Sequence, residues 1–208
     1  MFVNYIKYSK EGEIMKIQII VGSTRPGRVT NKVAAWVANE AKNLPDTEVE
    51  VVDLVDYPMT FIDEPISPQY NPDRKPSEAT KKWLDKIAEA DAFVLVTPEY
   101  NRSYSAVLKN ALDYVDFQFA KKPVALVAHG TTGGAQAVAH LRGVVSGLQS
   151  FTTPNAVYFA AQAGVVIDEE GKLNQELQAN PYGPQAALKK ALDDLKWYAD
   201  ALTPARRV

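Results

Sequence analysis

The sequence predicts an α/β fold, a doubly wound, five-stranded parallel sheet in the order 2-1-3-4-5. Three observations carry that expectation. The short apolar runs Ile17–Val21, Ala92–Val96 and Pro123–Ala128 lack the regular polar alternation of a sheet with one wet face, so both faces of their sheet are covered. Helical periodicity follows each run, the βα rhythm that sets strands parallel. Five strand-like runs, with no linker or internal repeat between them, suit one open sheet whose switch point lies between strands one and three.

Each element follows in turn. Residues 1–14 mix charged and aromatic side chains and lack the apolar core of a leader peptide. Met15 stands directly before the first strand as a second candidate start, which makes 1–14 a loose extension and 15–208 a single domain. The first strand ends at Gly22, and Val29 to Ala41 reads as the helix after it. Glu48 to Asp53 is the second strand. Tyr57 to Pro76 is proline-rich and irregular, long enough to be functional, with Met59, Phe61 and Tyr70 available to wall a site. Ser77 to Ala90 is helical, Ser77 capping it ahead of Trp83, Leu84 and Ile87. The third strand ends at Thr97-Pro98, and Ser103 to Phe117 is helical, with Leu108, Leu112 and Val115 on one stripe. The fourth strand ends at His129-Gly130, and Gly133-Gly134 opens a helix from Ala135 to Leu148. Asn155 to Phe159 is the fifth strand and Pro184 to Leu202 the last helix. The loops after strands one, three and four (Gly22–Arg28, Pro98–Ser103 and His129–Gly134) all fall on the carboxyl edge, where an open sheet takes its ligand.

Composition narrows the function. With 208 residues, 46% hydrophobic and 23% charged, the chain is ordinary for a soluble globular protein with a full core. A net charge of -2 and a pI near 5.8 give no support for nucleic-acid binding, which shows a basic stripe. The lack of cysteine excludes disulfides, thiolate catalysis and cysteine metal sites. His129 and His140 are too few for a metal cluster, and neither stands in a ligand pattern. At its strand end, His129 reads as a packing residue before a catalytic one. No apolar run is long enough to span a bilayer, so no membrane partner is expected and the cytoplasm is the default location.

The three loops carry the chemistry. Gly22-Ser23-Thr24-Arg25-Pro26-Gly27-Arg28 sets two glycines, two hydroxyls and two arginines at a helix start. Free amides and the positive end of the helix dipole attract an anion there, and arginine forks suit phosphate oxygens. The loop reads as a phosphate cradle, although its spacing is neither GxGxxG nor GxxxxGK[ST]. Without that glycine fingerprint, Asp53 reads as a plain strand-end residue in place of a ribose ligand. Thr97-Pro98-Glu99-Tyr100-Asn101 has two readings: a wall along a flat heteroaromatic ring, or a turn in which Asn101 or Ser103 caps the next helix. The Gly130 to Gly134 glycines either let the backbone approach a ligand closely or only form a tight helix entry.

In order and at these strand ends, Gly22–Arg28, Pro98-Glu99-Tyr100-Asn101, Leu108-Lys109-Asn110-Ala111-Leu112-Asp113 and Lys122-Pro123-Val124 leading to Gly133-Gly134 resemble the NADPH-dependent FMN reductase family, which includes bacterial chromate and quinone reductases and azoreductases. The likeness runs from about Lys16 to Leu148. It implies a flavodoxin-like fold that binds FMN without a covalent bond. By position, Ser23, Arg25 and the segment Arg28, Val29, Thr30 and Asn31 would hold the phosphate. Pro98, Glu99, Tyr100 and Asn101 would line the isoalloxazine, with Gly130, Thr131, Thr132, Gly133 and Gly134 near its other edge. The resemblance implies no catalytic side chain and no metal: NADPH or NADH delivers hydride to flavin N5, and a quinone, azo compound, free flavin or oxidised metal ion collects the electrons. The Gly130 to Gly134 amides are candidates for stabilising the reduced ring near N1 and the C2 carbonyl. A homodimer or homotetramer is implied, with Tyr114, Phe117 and Phe119 as a contact cluster. Two competing readings are an electron carrier with a protein partner, usually far more acidic than this chain, and a non-flavin module for another phosphate ligand. The motifs name neither the acceptor nor a preference between NADPH and NADH.

Overall fold

The computed structural model describes residues 14–160 and 162–206. The expected extension over 1–14 lies, apart from Ile14, outside the described residues. Strands β1 (Met15–Val21), β2 (Thr47–Asp53), β3 (Ala92–Pro98) and β4 (Pro123–His129) form the parallel sheet in the order β2-β1-β3-β4. Successive strand residues alternate faces, so Ile17, Ile19 and Val21 pack with Val33, Trp36 and Val37 on one side of the sheet, while Ile20, Phe93 and Leu95 pack with Trp83, Leu108 and Val138 on the other. Helices α1 (Thr30–Ala41) and α7 (Pro184–Arg206) cover the first face; α2 (Glu78–Ala88), α3 (Ala106–Asp113) and α4 (Ala135–Gly147) cover the second. This is the expected doubly wound arrangement, buried on both faces.

The fifth position is divided. Two short strands, β5 (Phe151–Thr152) and β6 (Val157–Phe159), pair in parallel with the beginning and the end of β4. The single strand expected over Asn155 to Phe159 holds only at its end. Between the two pieces Pro154 has no N–H for a ladder, Thr153 Oγ1 bonds to the Asn155 carbonyl at 2.8 Å, and the Arg142 guanidinium takes the Thr153 and Pro154 carbonyls.

Helix α3 is shorter than the expected Ser103–Phe117. Ser103 is consumed by a turn with Tyr100, and the cap is Ser105, not Asn101 or Ser103: its Oγ accepts from Leu108 N at 3.2 Å and donates to the Gly22 carbonyl. At the other end the Tyr114 carbonyl accepts from Arg74 Nη2 at 2.7 Å. Ser77 caps α2 as expected, accepting from Thr80 N at 3.2 Å. Two helices without a sequence signal, α5 (Ala163–Val166) and α6 (Gln175–Ala179), are too short for periodicity to reveal.

Candidate active site

The register places the cradle. Val21 pairs with Asp53 on one side and Val96 on the other, so β1 ends flanked by both neighbouring strand ends. Gly22 N donates to the Val96 carbonyl at 2.8 Å, and a Cβ on Gly22 would itself sit 2.8 Å from that oxygen, which explains the glycine. Ser23 is buried, its Oγ 3.3 Å from Tyr100 Oη. Arg25 is exposed, and its guanidinium makes no hydrogen bond or ion pair among the described residues. Arg28, the other arginine expected at the phosphate, is partly engaged within the chain. Its guanidinium is ion-paired with Asp53, while its Nε is buried without a hydrogen-bond partner among the described residues. Asp53 is thus more than a plain strand end: one carboxylate oxygen takes Arg28 and the other accepts from Val55 N at 3.1 Å.

The start of α1 is unusual among its neighbours. No side chain caps it, and its first turn holds no acidic residue. Ser77 and Ser105 supply acceptors to α2 and α3, and Glu99 supplies them to α4. Amides left without a side-chain acceptor at a dipole's positive end suit an external anion.

Glu99, expected with its neighbours to line a ring, has its carboxylate engaged within the chain: it turns to α4, accepting from Thr132 Oγ1 at 3.0 Å, Gln136 N at 3.0 Å and Ala137 N at 3.4 Å. Partial burial works against its charge, but the Thr132 hydroxyl, the two amides and the nearby Arg102 outweigh it and hold the carboxyl below its usual range. The Gly130–Gly134 amides are likewise partly used: Gly130 N donates to the Phe159 carbonyl and Gly133 N to the Gly130 carbonyl. Gly134, at φ +82°, packs so close to β4 that a Cβ would lie 2.5 Å from that of Ala128. Thr131 and Thr132 are exposed at the tip of this loop.

Beneath the loops lies a buried pair. His129 Nε2 is 3.0 Å from Thr30 Oγ1, and the His129 carbonyl accepts from Glu99 N at 2.7 Å. Burial pushes His129 down to about 4, so the ring is neutral at neutral pH. It is the packing residue the sequence suggested, and it draws the Thr30 hydroxyl away from the cradle. Val29 packs against Gly164, where a Cβ would meet its Cγ1 at 2.6 Å. Asn31 is exposed on the first turn of α1.

The long loop after β2 is held firmly. Asn110 bonds to Thr60 and Ile62, and Arg74, nearly buried, is paired with Glu64 and Asp116. Beside the cradle this loop and α3 enclose a cleft of about 310 Å³, lined by Thr24, Leu54, Met59 and Val107 among others. The expected aromatic cluster splits. Phe119 stacks on Phe93 with centroids 3.9 Å apart, and Tyr114 is buried, so both belong to the core; Phe117 alone of the three is exposed.

The structure therefore brings Ser23, Arg25, Arg28, Tyr100, Glu99 and Thr132 to one edge of the sheet, linked by the Ser23–Tyr100 and Glu99–Thr132 contacts. The role of Asp53 was legible in principle, since it stands opposite Val21 in a parallel register.

Comparison with known proteins bears on the family and the fold. The model of a family described as NADPH-dependent FMN reductase matches residues 15–164. A Schizosaccharomyces pombe protein named NAD(P)H-dependent FMN reductase is 35% identical over 184 residues, covering 80% of this chain and 92% of the relative. An FMN-dependent NADPH-azoreductase of Staphylococcus haemolyticus is 34% identical over 147 residues, 69% of this chain and 76% of the relative. Among solved structures, the flavoenzyme NAD(P)H:(acceptor) oxidoreductase FerB from Paracoccus denitrificans shares the fold, with a TM-score of 0.66 at 24% identity over 89% of this chain and 99% of that one.

Proposed function

The chain belongs to the NADPH-dependent FMN reductase family, and from that premise we propose that this FMN-dependent NAD(P)H oxidoreductase serves small acceptors: quinones, azo compounds, free flavin or oxidised metal ions. The observation that carries the site assignment is the uncapped start of α1, preceded by two arginines with donors left open among the described residues: the guanidinium of Arg25 and the buried Nε of Arg28. These donors fit a terminal phosphate, which FMN has and FAD lacks. Bound FMN supplies the hydride relay between nicotinamide and acceptor.

The chain's residues supply position. Arg25 and Arg28 hold the phosphate, Asp53 fixing the fork of Arg28 from behind. Val29, Thr30 and Asn31 contribute backbone at the helix start, the Thr30 hydroxyl being engaged by His129. Tyr100, with Pro98 and Asn101, walls the ring, and its hydroxyl contact to Ser23 ties that wall to the cradle. Glu99 holds the wall against α4, and Gly130 to Gly134 border the opposite edge.

A second copy of the chain completes our reading. Phe61, Ile66 and Tyr70 are exposed on the loop that Arg74 and Asn110 anchor, Phe117 is exposed next to Asp116, to which Arg74 is paired, and exposed apolar side chains of this size suit an interface. Sedimentation of the purified protein as a dimer or tetramer is expected; a monomer at micromolar concentration refutes it. For the site, heat-released cofactor is identified by chromatography and NAD(P)H oxidation is followed against an anaerobic panel of acceptors. FMN and turnover with quinones or azo dyes are expected. A colourless protein that takes up no FMN on reconstitution refutes the assignment.

A further inference from the structure

The turn after β3 carries an arginine that none of these roles uses. Tyr100 N donates to the Ser103 carbonyl at 2.8 Å and Ser103 N to the Tyr100 carbonyl at 3.0 Å, which leaves Asn101 and Arg102 as a two-residue turn. Both have positive φ, +49° and +68°. Asparagine tolerates that region, but the second position of such a turn is the place of glycine, and a long L side chain there is strained.

The turn is also fixed on three sides. Glu99 is bound to Thr132 and to the first turn of α4, Ser103 Oγ lies 3.0 Å from His140 Nδ1, and Tyr100 Oη lies 3.3 Å from Ser23 Oγ. A strained conformation persists where its surroundings over-determine it, and such places cluster at functional sites. Arg102 is exposed there, and its guanidinium makes no hydrogen bond or ion pair among the described residues. The nearest acidic group on the same turn, Glu99, is already satisfied by the Thr132 hydroxyl and two α4 amides. Arg28 is held by Asp53, Lys32 by Glu169 and Lys109 by Asp113. With Arg25 assigned to FMN, Arg102 is a cation on a fixed turn at the lip of the site: its charge favours the ionised Glu99, but its donors stay open among the described residues.

We propose that Arg102 receives a phosphate of the incoming pyridine nucleotide. The inference rests on the functional reading above, because the ligand is its hydride donor. That donor carries anionic oxygens in two places: the pyrophosphate common to NADH and NADPH, and the 2′-phosphate of NADPH alone. A guanidinium offers either one paired, parallel donors.

Arg102→Gly tests it, since glycine relieves the turn while removing the charge. Three measurements are made on wild type, Arg102→Gly and Arg102→Lys: apoprotein melting, FMN dissociation constant, and steady-state kinetics with each donor. Binding of 2′-phospho-ADP-ribose and ADP-ribose is titrated alongside. Arg102→Gly is expected to melt at or above the wild-type temperature and to keep its FMN affinity and kcat. Its KM for the donor should rise roughly 10- to 100-fold, the loss of a charge-assisted contact, with Arg102→Lys between the two. A loss shared by NADH and ADP-ribose assigns the pyrophosphate; a loss confined to NADPH and 2′-phospho-ADP-ribose assigns the 2′-phosphate. If wild type oxidises NAD(P)H while Arg102→Gly matches it in both KM values and both titrations, the assignment is overturned alone. If wild type oxidises neither donor, the functional reading falls and takes the assignment with it.

Discussion

His129 gives the protein a stability that depends on pH, and the size of the effect follows from its burial. The ring titrates near the usual 6.5 when unfolded and is pushed down to about 4 in the fold, chiefly by burial. For a base held neutral, the unfolded chain binds more protons between those values. Stability is therefore full above about pH 6.5 and is lost as pH falls towards 4. The difference corresponds to about 3 kcal/mol when fully developed, of which about 2 kcal/mol appears between about pH 7 and pH 5. In that interval carboxylates contribute little, because their own values lie below it. The assay is urea unfolding of the apoprotein at both pH values, for wild type and for His129→Gln. A general loss of stability in the variant cancels, because the pH difference is read within each protein, and His140 is common to both. Wild type should lose about 2 kcal/mol more than the variant between the two pH values. Equal losses would refute the assignment of His129 as a neutral buried ring. The effect also reaches the site, since His129 holds Thr30 at the start of α1 and Glu99 N at the start of the second loop.

Three further outcomes are expected. Arg25→Ala should weaken FMN binding by about 1.5–3 kcal/mol, the range of a charge-assisted hydrogen bond; an unchanged dissociation constant removes Arg25 from the site. Tyr100→Ala should alter the flavin absorption envelope and slow NAD(P)H oxidation while apoprotein stability changes by less than about 1 kcal/mol; a wild-type spectrum and turnover would detach this loop from the flavin. Glu99→Gln should cost about 1 kcal/mol, comparable to a helix cap and discounted for solvent, or about 2–4 °C in melting temperature. Because the folded carboxyl is held below its usual value, that contribution is present above the ordinary carboxylate range and fades as pH falls through the folded value. A variant whose difference from wild type stays constant down to acid pH contradicts the Glu99 contacts.

Strands β1, β3 and β4 were legible because burial on both faces leaves an uninterrupted apolar run, and the carboxyl-edge loops could be located from them. The first cap was legible as well, since Ser77 acts within its own helix. Most of what the sequence did not reveal depends on a partner far along the chain, with Ser103 the exception. Ser103 was read as the opening of a helix because its bridge to Tyr100 depends on a backbone reversal with no glycine to announce it. The pairing of Arg28 was not legible because Asp53, 25 residues away, comes alongside only when β1 and β2 are in register. The capping role of Glu99 was not legible because it needs the start of α4, 37 residues on. Helix α5 rests on the fit of Gly164 against Val29, which no periodicity records.

The two helix starts on the carboxyl edge have opposite electrical fates, and that gives the edge a polarity. Glu99 quenches the field at α4 from within the chain, while α1 meets no counter-charge of its own. An anionic group reaching these two helix starts is thus drawn to that of α1 rather than to that of α4. Docking at α4 would set it beside a carboxylate. For a molecule phosphorylated at one end, this difference between the two helix starts favours one sense of insertion.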